Sequence, residues 1–165
     1  MKLTHAPDYS IRLIKEGTSD EAPLCEVTIS EVATGKFLEG AVFEAALKWH
    51  DYILLFITDD VPFEEGLNIY LLDSRLNVVD SAKMYFIYST GIFSNLDLSA
   101  DDTVRFQFFG DEVSMLRLYE KKKFAVPILS TPLGVHHRLA FFRRFEISRL
   151  SPATRSAEEP VELKQ

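Results

Sequence analysis

The chain has little cysteine, little glycine and no long apolar run, and each shortage removes a class of function. A single cysteine, Cys25, in 165 residues excludes an intramolecular disulfide and any multi-cysteine zinc or iron–sulfur site. The seven glycines form neither a G-x-G-x-x-G nor a Walker-type loop, so the usual backbone cradles for dinucleotides and phosphates are missing. The uncharged stretch at residues 84–96 is 13 residues long and is broken by Ser89, Thr90, Gly91, Ser94 and Asn95. A membrane-spanning helix needs about 20 apolar residues, so no membrane partner is expected. The opening Met1-Lys2-Leu3-Thr4-His5-Ala6-Pro7-Asp8 has no apolar core of a secretory signal. With one free thiol, the expectation is a cytoplasmic protein.

Catalytic and metal constellations are equally scarce. The four histidines, His5, His50, His136 and His137, offer no pair at metal-ligand spacing with a matching acid. Adjacent His136 and His137 diverge if they lie on a strand. Trp49-His50-Asp51 invites a catalytic reading with Cys25 or a serine as nucleophile. Neighbouring His and Asp on a strand also diverge, and no G-x-S-x-G elbow is present. Trp49 reads as a core or interface anchor and Cys25 as a small buried hydrophobe. The expectation is a protein without cofactor and without enzymatic activity.

What is present is a core and an uneven charge. Hydrophobic residues make up 47% of the chain, including 13 Phe, 6 Tyr and 1 Trp, and charged residues 26%. That is the composition of one ordinary globular domain, placed at residues 1–150. Residues 151–165, with two prolines and no large aromatic residue, read as a flexible tail. Residues 1–116 carry 8 Lys and Arg against 20 Asp and Glu, a net of −12; residues 117–165 carry 10 against 5, a net of +5. A single-sign surface steers an oppositely charged partner. The overall −7 argues against nucleic acid.

The apolar period is two. Ile11 and Leu13, then Cys25, Val27 and Ile29, then Val104, Phe106 and Phe108 alternate with polar neighbours, as half-buried antiparallel strands do. Tyr52-Ile53-Leu54-Leu55-Phe56-Ile57 is a continuous apolar run suited to a strand buried on both faces. Turn chemistry separates the runs at Glu16–Asp20, Thr34-Gly35-Lys36, Asp59–Pro62, Asp73–Asn77 and Phe109-Gly110-Asp111-Glu112, with Gly110 free to take a positive φ. The prediction is an all-β protein, an antiparallel meander of about eight or nine strands in a sandwich or partly open barrel. At most one or two short helices are allowed. Glu39 to Trp49 reads as strand rather than helix, and His137 to Leu150 suits either.

Among the charged groups, Asp59, Asp60, Glu64 and Glu65 surround Val61-Pro62-Phe63, and Asp97, Asp101 and Asp102 form a second acidic group. The first set lacks the spacing of a calcium loop. An acidic loop centred on Phe63 offers charge for steering and an apolar anchor for affinity, the division of labour of a protein interface. Asp59, Asp60, Phe63, Glu64 and Glu65 are therefore the candidate partner-binding residues. Lys121-Lys122-Lys123 reads as a solvent-exposed hairpin end, and Arg138, Arg143, Arg144 and Arg149 as basic residues protecting an edge.

From Phe56-Ile57-Thr58-Asp59-Asp60-Val61-Pro62-Phe63-Glu64-Glu65-Gly66-Leu67 through Ile69–Asp73 to Val78-Val79-Asp80, the chain resembles small acidic β-rich bacterial immunity proteins of polymorphic or contact-dependent toxin systems. The resemblance implies an inhibitor that binds and occludes a cognate toxin, or another basic protein, in the cytoplasm of the producing cell. It carries no individual residue's role. Two other functions fit the composition. One is a small-molecule-binding barrel or enzyme with His50 or a buried carboxylate in its pocket. The other is an assembly subunit whose exposed apolar edges give a homo-oligomer.

Overall fold

The computed structural model describes residues 1–61, 63–125, 132–138 and 141–150. In chain order the strands are β1 (Thr4–His5), β2 (Tyr9–Lys15), β3 (Leu24–Ile29), β4 (Val32–Glu39), β5 (Val42–Trp49), β6 (Tyr52–Thr58), β7 (Leu67–Leu72), β8 (Val78–Met84), β9 (Ser94–Asp97), β10 (Thr103–Gln107), β11 (Val113–Phe124), β12 (Val135–His137) and β13 (Phe142–Arg149). All pairings are antiparallel. They build a six-stranded sheet in the order β1-β5-β6-β7-β8-β12, a four-stranded sheet β13-β11-β10-β9 and a three-stranded sheet β2-β3-β4. None closes into a barrel. The described residues contain no helix, and so none long and apolar enough to cross a membrane.

The six-stranded sheet is the middle layer. On β6, Leu54 and Phe56 pack towards the four-stranded sheet, with Phe106, Leu116, Phe145 and Ile147 across from them. Ile53, Leu55 and Ile57 point the other way and meet Cys25, Val27 and Leu38 of the three-stranded sheet. Period-two geometry sends successive side chains to opposite faces, so the uninterrupted apolar run of β6 is what a strand between two cores requires. Phe56 contacts Phe93 and Phe106 at ring-centroid distances of 5.1 and 5.4 Å.

The thirteen strands among the described residues exceed the eight or nine expected, chiefly because β1, β9 and β12 have only two, four and three residues, too few to show an alternation. The expected turn at Thr34-Gly35-Lys36 lies inside β4 instead. The β3–β4 hairpin turns at Ser30 and Glu31, whose φ values of 49° and 66° suit a tight two-residue connection. Gly35, at φ 77°, sits where the β3–β4 register shifts, and its N–H bonds Glu26 Oε1 at 3.0 Å. Lys121–Lys123 do not end a hairpin but extend β11 to Phe124. The open choice for 137–150 resolves as the end of β12 followed by β13. The expected tail, 151–165, lies outside the described residues, as does Pro62.

One carboxylate ties two layers together. Asp80 on β8 accepts the backbone N–H of Arg144 at 2.6 Å and of Phe145 at 3.2 Å, both on β13, and that of Ser81 at 2.8 Å. The approach of the β8–β9 connection to the core depends on Gly91. A Cβ there would stand 2.3 Å from the Phe108 ring, which is itself fully buried. Gly91→Ala is expected to cost about 1–3 kcal/mol through overpacking, read as a lower midpoint in urea unfolding.

Candidate interaction site

β6 ends where β7 begins, Thr58 opposite Leu67, and Leu67 stands opposite Met84, which faces Val135. The connections that follow these residues therefore gather at one end of the molecule. The first, residues 59–66, is organised by its own acids. Glu65 accepts the N–H of Asp59 at 2.8 Å and of Gly66 at 3.2 Å on one oxygen, and that of Val61 at 3.2 Å on the other. Burial nevertheless pushes its carboxyl up, with the N–H groups of Asp59 and Gly66 opposing and the charge of Asp59 assisting the rise. Asp59 is buried and turned inward, 2.6 Å from Asn68 Nδ2 and 2.7 Å from Lys83 Nζ.

The expected interface acids thus divide. Asp59 and Glu65 bond within the loop and its flanking strands, and the Asp59 carboxylate faces Asn68 and Lys83. Glu64 accepts the Tyr85 hydroxyl at 3.0 Å, which holds that phenol above its ordinary pKa. Asp60, at φ 60°, and Phe63, with 81% of its surface exposed, project outward. The periodicity and charge count that select this loop carry no signal for which acids are consumed by backbone N–H groups.

Three further segments join it. The Tyr85–Glu64 bond brings in residues 85–93, and Tyr85 N–H bonds Gly134 O at 2.7 Å, which brings in 132–134. Ile92 N–H bonds Phe108 O at 3.0 Å, placing the β10–β11 turn alongside. In that turn Gly110 takes the expected positive φ, 56°. Arg149 stands 3.4 Å from Glu112 and also donates to Leu133 O. These segments expose Val61, Phe63, Phe86, Ile87, Tyr88, Ile92 and Leu133, with Tyr88 at 88% and Leu133 at 78%. Asp60, Glu64, Asp111 and Glu112 lie on the same segments. Lys83 and Arg149, the cations these segments enclose, are engaged by Asp59 and by Glu112. With those two cations paired, Asp60 and Glu64 remain as acids beside the exposed apolar side chains. The segment 85–93 lies within the uncharged stretch 84–96, and its lack of charge is the signal that could have placed it here.

The residues of the catalytic reading lie on separate parts of the fold. His50 lies in the β5–β6 turn at φ 51°, with Nε2 3.3 Å from Glu120. Cys25 is fully buried in the core on the other face of the central sheet, and burial pushes its thiol up to about 11. Trp49 is buried with its indole N–H donating to Asp102 at 2.7 Å, which lowers that carboxyl. No group of three or more His, Cys, Asp or Glu that could hold a metal occurs among the described residues. A groove of about 340 Å³ runs along β8 and β12 between Tyr70, Lys83, His136 and Arg138, and His50 does not line it. No protein-family model, curated protein or solved structure matches the chain.

Proposed function

We propose that the protein is a non-catalytic binding module that occludes a basic partner protein with this acid-rimmed apolar end. Neutralising a bacterial toxin in the cytoplasm is the role that suits it, with no cofactor, nucleic acid or membrane required. One observation carries the reading: exposed Phe63, Ile87, Tyr88, Ile92 and Leu133 share an end with Asp60, Glu64, Asp111 and Glu112, while the local cations are paired internally. Apolar side chains ringed by charge of one sign match the anatomy of a protein interface, whose centre supplies affinity and whose rim supplies steering. An apolar patch of this kind is otherwise costly for a soluble protein to display.

The test compares capture from lysate of the source cell by the native protein and by a Phe63→Ser, Tyr88→Ser variant. Loss of exposed aromatic anchors is expected to weaken a specific complex by about 2 kcal/mol or more, roughly 30-fold. The captured protein should be basic and released by salt. Equal capture by both forms would reject this end as the binding surface. Asp59→Ala is the wrong probe, because it strands Lys83 and Asn68 and loosens the loop itself.

A further inference from the structure

The far end of β11 and β13 carries the opposite surface. Phe124, Phe141 and Phe142 are all more than half exposed there. The rings of Phe124 and Phe141 stack at 6.3 Å and 9°, and Phe142 meets Phe124 edge-on at 5.9 Å. Lys121, Lys122 and Lys123 precede them, all exposed. Lys123 is held by Glu146 at 3.2 Å, so Lys121 and Lys122 are the charges presented. Three exposed aromatic rings clustered beside lysines form a second apolar patch, with Lys121 and Lys122 next to it and exposed Glu120 preceding them.

The two patches cannot meet within one molecule. β11 runs twelve residues from the acid-rimmed end to Phe124, a span of roughly 35 Å at the usual rise of a strand. Contact between like patches of two molecules would set lysine against lysine, or acid against acid, and is penalised. Contact between unlike patches buries aromatic on apolar surface and pairs the charges. We infer that a second copy of this chain docks head to tail, with Lys121, Lys122, Phe124, Phe141 and Phe142 of one copy seated on the Asp60, Phe63, Tyr88 and Leu133 end of the next. Because donor and acceptor patches lie at opposite ends, the contact is heterologous and extends into open chains rather than closing as a symmetric dimer. Its small area makes it weak, concentration-dependent and screened by salt. The inference shares the acid-rimmed end with the proposed function, for which a second copy would compete with the basic partner.

The test is sedimentation of the full chain from micromolar to near-millimolar concentration at low and high salt. The mean mass is expected to rise continuously past the dimer at low salt and to fall back at high salt. A head-blocked form, Asp60→Lys with Phe63→Ser, and a tail-blocked form, Lys121→Glu with Lys122→Glu, should each associate roughly tenfold or more weakly. Mixed in equal amounts, they should form dimers and stop, since only one native contact can form between them. A monomer at every concentration, a plateau at the dimer for the native chain, or either blocked form associating like the native one would overturn the inference. The tail-blocked form keeps the acid-rimmed end, so its capture of a basic partner tests the proposed function separately.

Discussion

Asp80→Ala is expected to lose about 3–5 kcal/mol of folding stability, a large share of what a domain of this size holds. The side chain is buried, and its two oxygens take three backbone N–H groups, two of them on another sheet. Truncation leaves those donors inside the protein with nothing to accept them, and each such orphan costs about 1–3 kcal/mol. It also removes a negative charge facing Arg143. That guanidinium is 2% exposed, and none of its three side-chain nitrogens has a hydrogen-bond partner among the described residues. Burying a charge is tolerable only where opposite charge or hydrogen bonds offset the loss of water. Asp80→Asn separates the contributions. Its carbonyl oxygen can still serve the β13 N–H groups, while the charge facing Arg143 is lost and the amide cannot accept from Ser81. Urea unfolding should therefore rank native above Asn and Asn above Ala. An Ala variant within 1 kcal/mol of the native protein would show that the β8–β13 seam is held elsewhere.

Much of this architecture was legible because strand periodicity reports burial directly. The alternation in Cys25, Val27 and Ile29 and in Val104 and Phe106 marks one-sided strands, and the unbroken β6 run marks the layer between two cores. What alternation cannot carry is pairing partner and register, so three layers were not distinguishable from a two-sheet sandwich. Two-residue turns also leave little trace when neither residue is glycine. Ser30 and Glu31 adopt positive φ without the Asn-Gly or Asp-Gly signature, while Gly35 marks a shift in register rather than the turn. At the candidate site, charge density pointed to the 59–65 loop but not to the fate of each acid. Asp59 is spoken for by Asn68 and Lys83, residues nine and twenty-four positions away whose proximity exists only after β7 and β8 pair. Asp80 and Arg143 illustrate the same limit. A lone Asp in a strand resembles an edge charge until β13 folds over it.

The second large effect is a loss of stability on mild acidification, centred on His137. Its ring packs 5.5 Å from that of Phe145. Burial, then the nearby charge of Arg143, lowers its pKa to about 4, with Glu146 opposing. In the unfolded chain a histidine titrates near 6.5. A base whose pKa falls on folding is neutral in the native state while the unfolded state already binds a proton. Its contribution is therefore complete above about pH 6.5 and erodes as pH falls towards 4. The full erosion is about 2–3 kcal/mol, allowing for the partial exposure of the ring. Asp97, held down by the Ser99 N–H, and Asp102, held down by the Trp49 indole, lose their contributions only below the ordinary carboxylate range. Asp80 and Glu65, both pushed up by burial, act in the opposite sense, since acidification relieves the cost of their buried charge. The clean quantity is thus the difference between the native protein and His137→Leu, which cancels the carboxylates common to both. That difference should be constant above pH 7 and shift against the native protein by about 2–3 kcal/mol by pH 4. Arg143→Met should shrink the shift, because removing the neighbouring positive charge allows His137 to protonate at higher pH. A difference that stays level across the range would mean that His137 is as readily protonated in the fold as out of it.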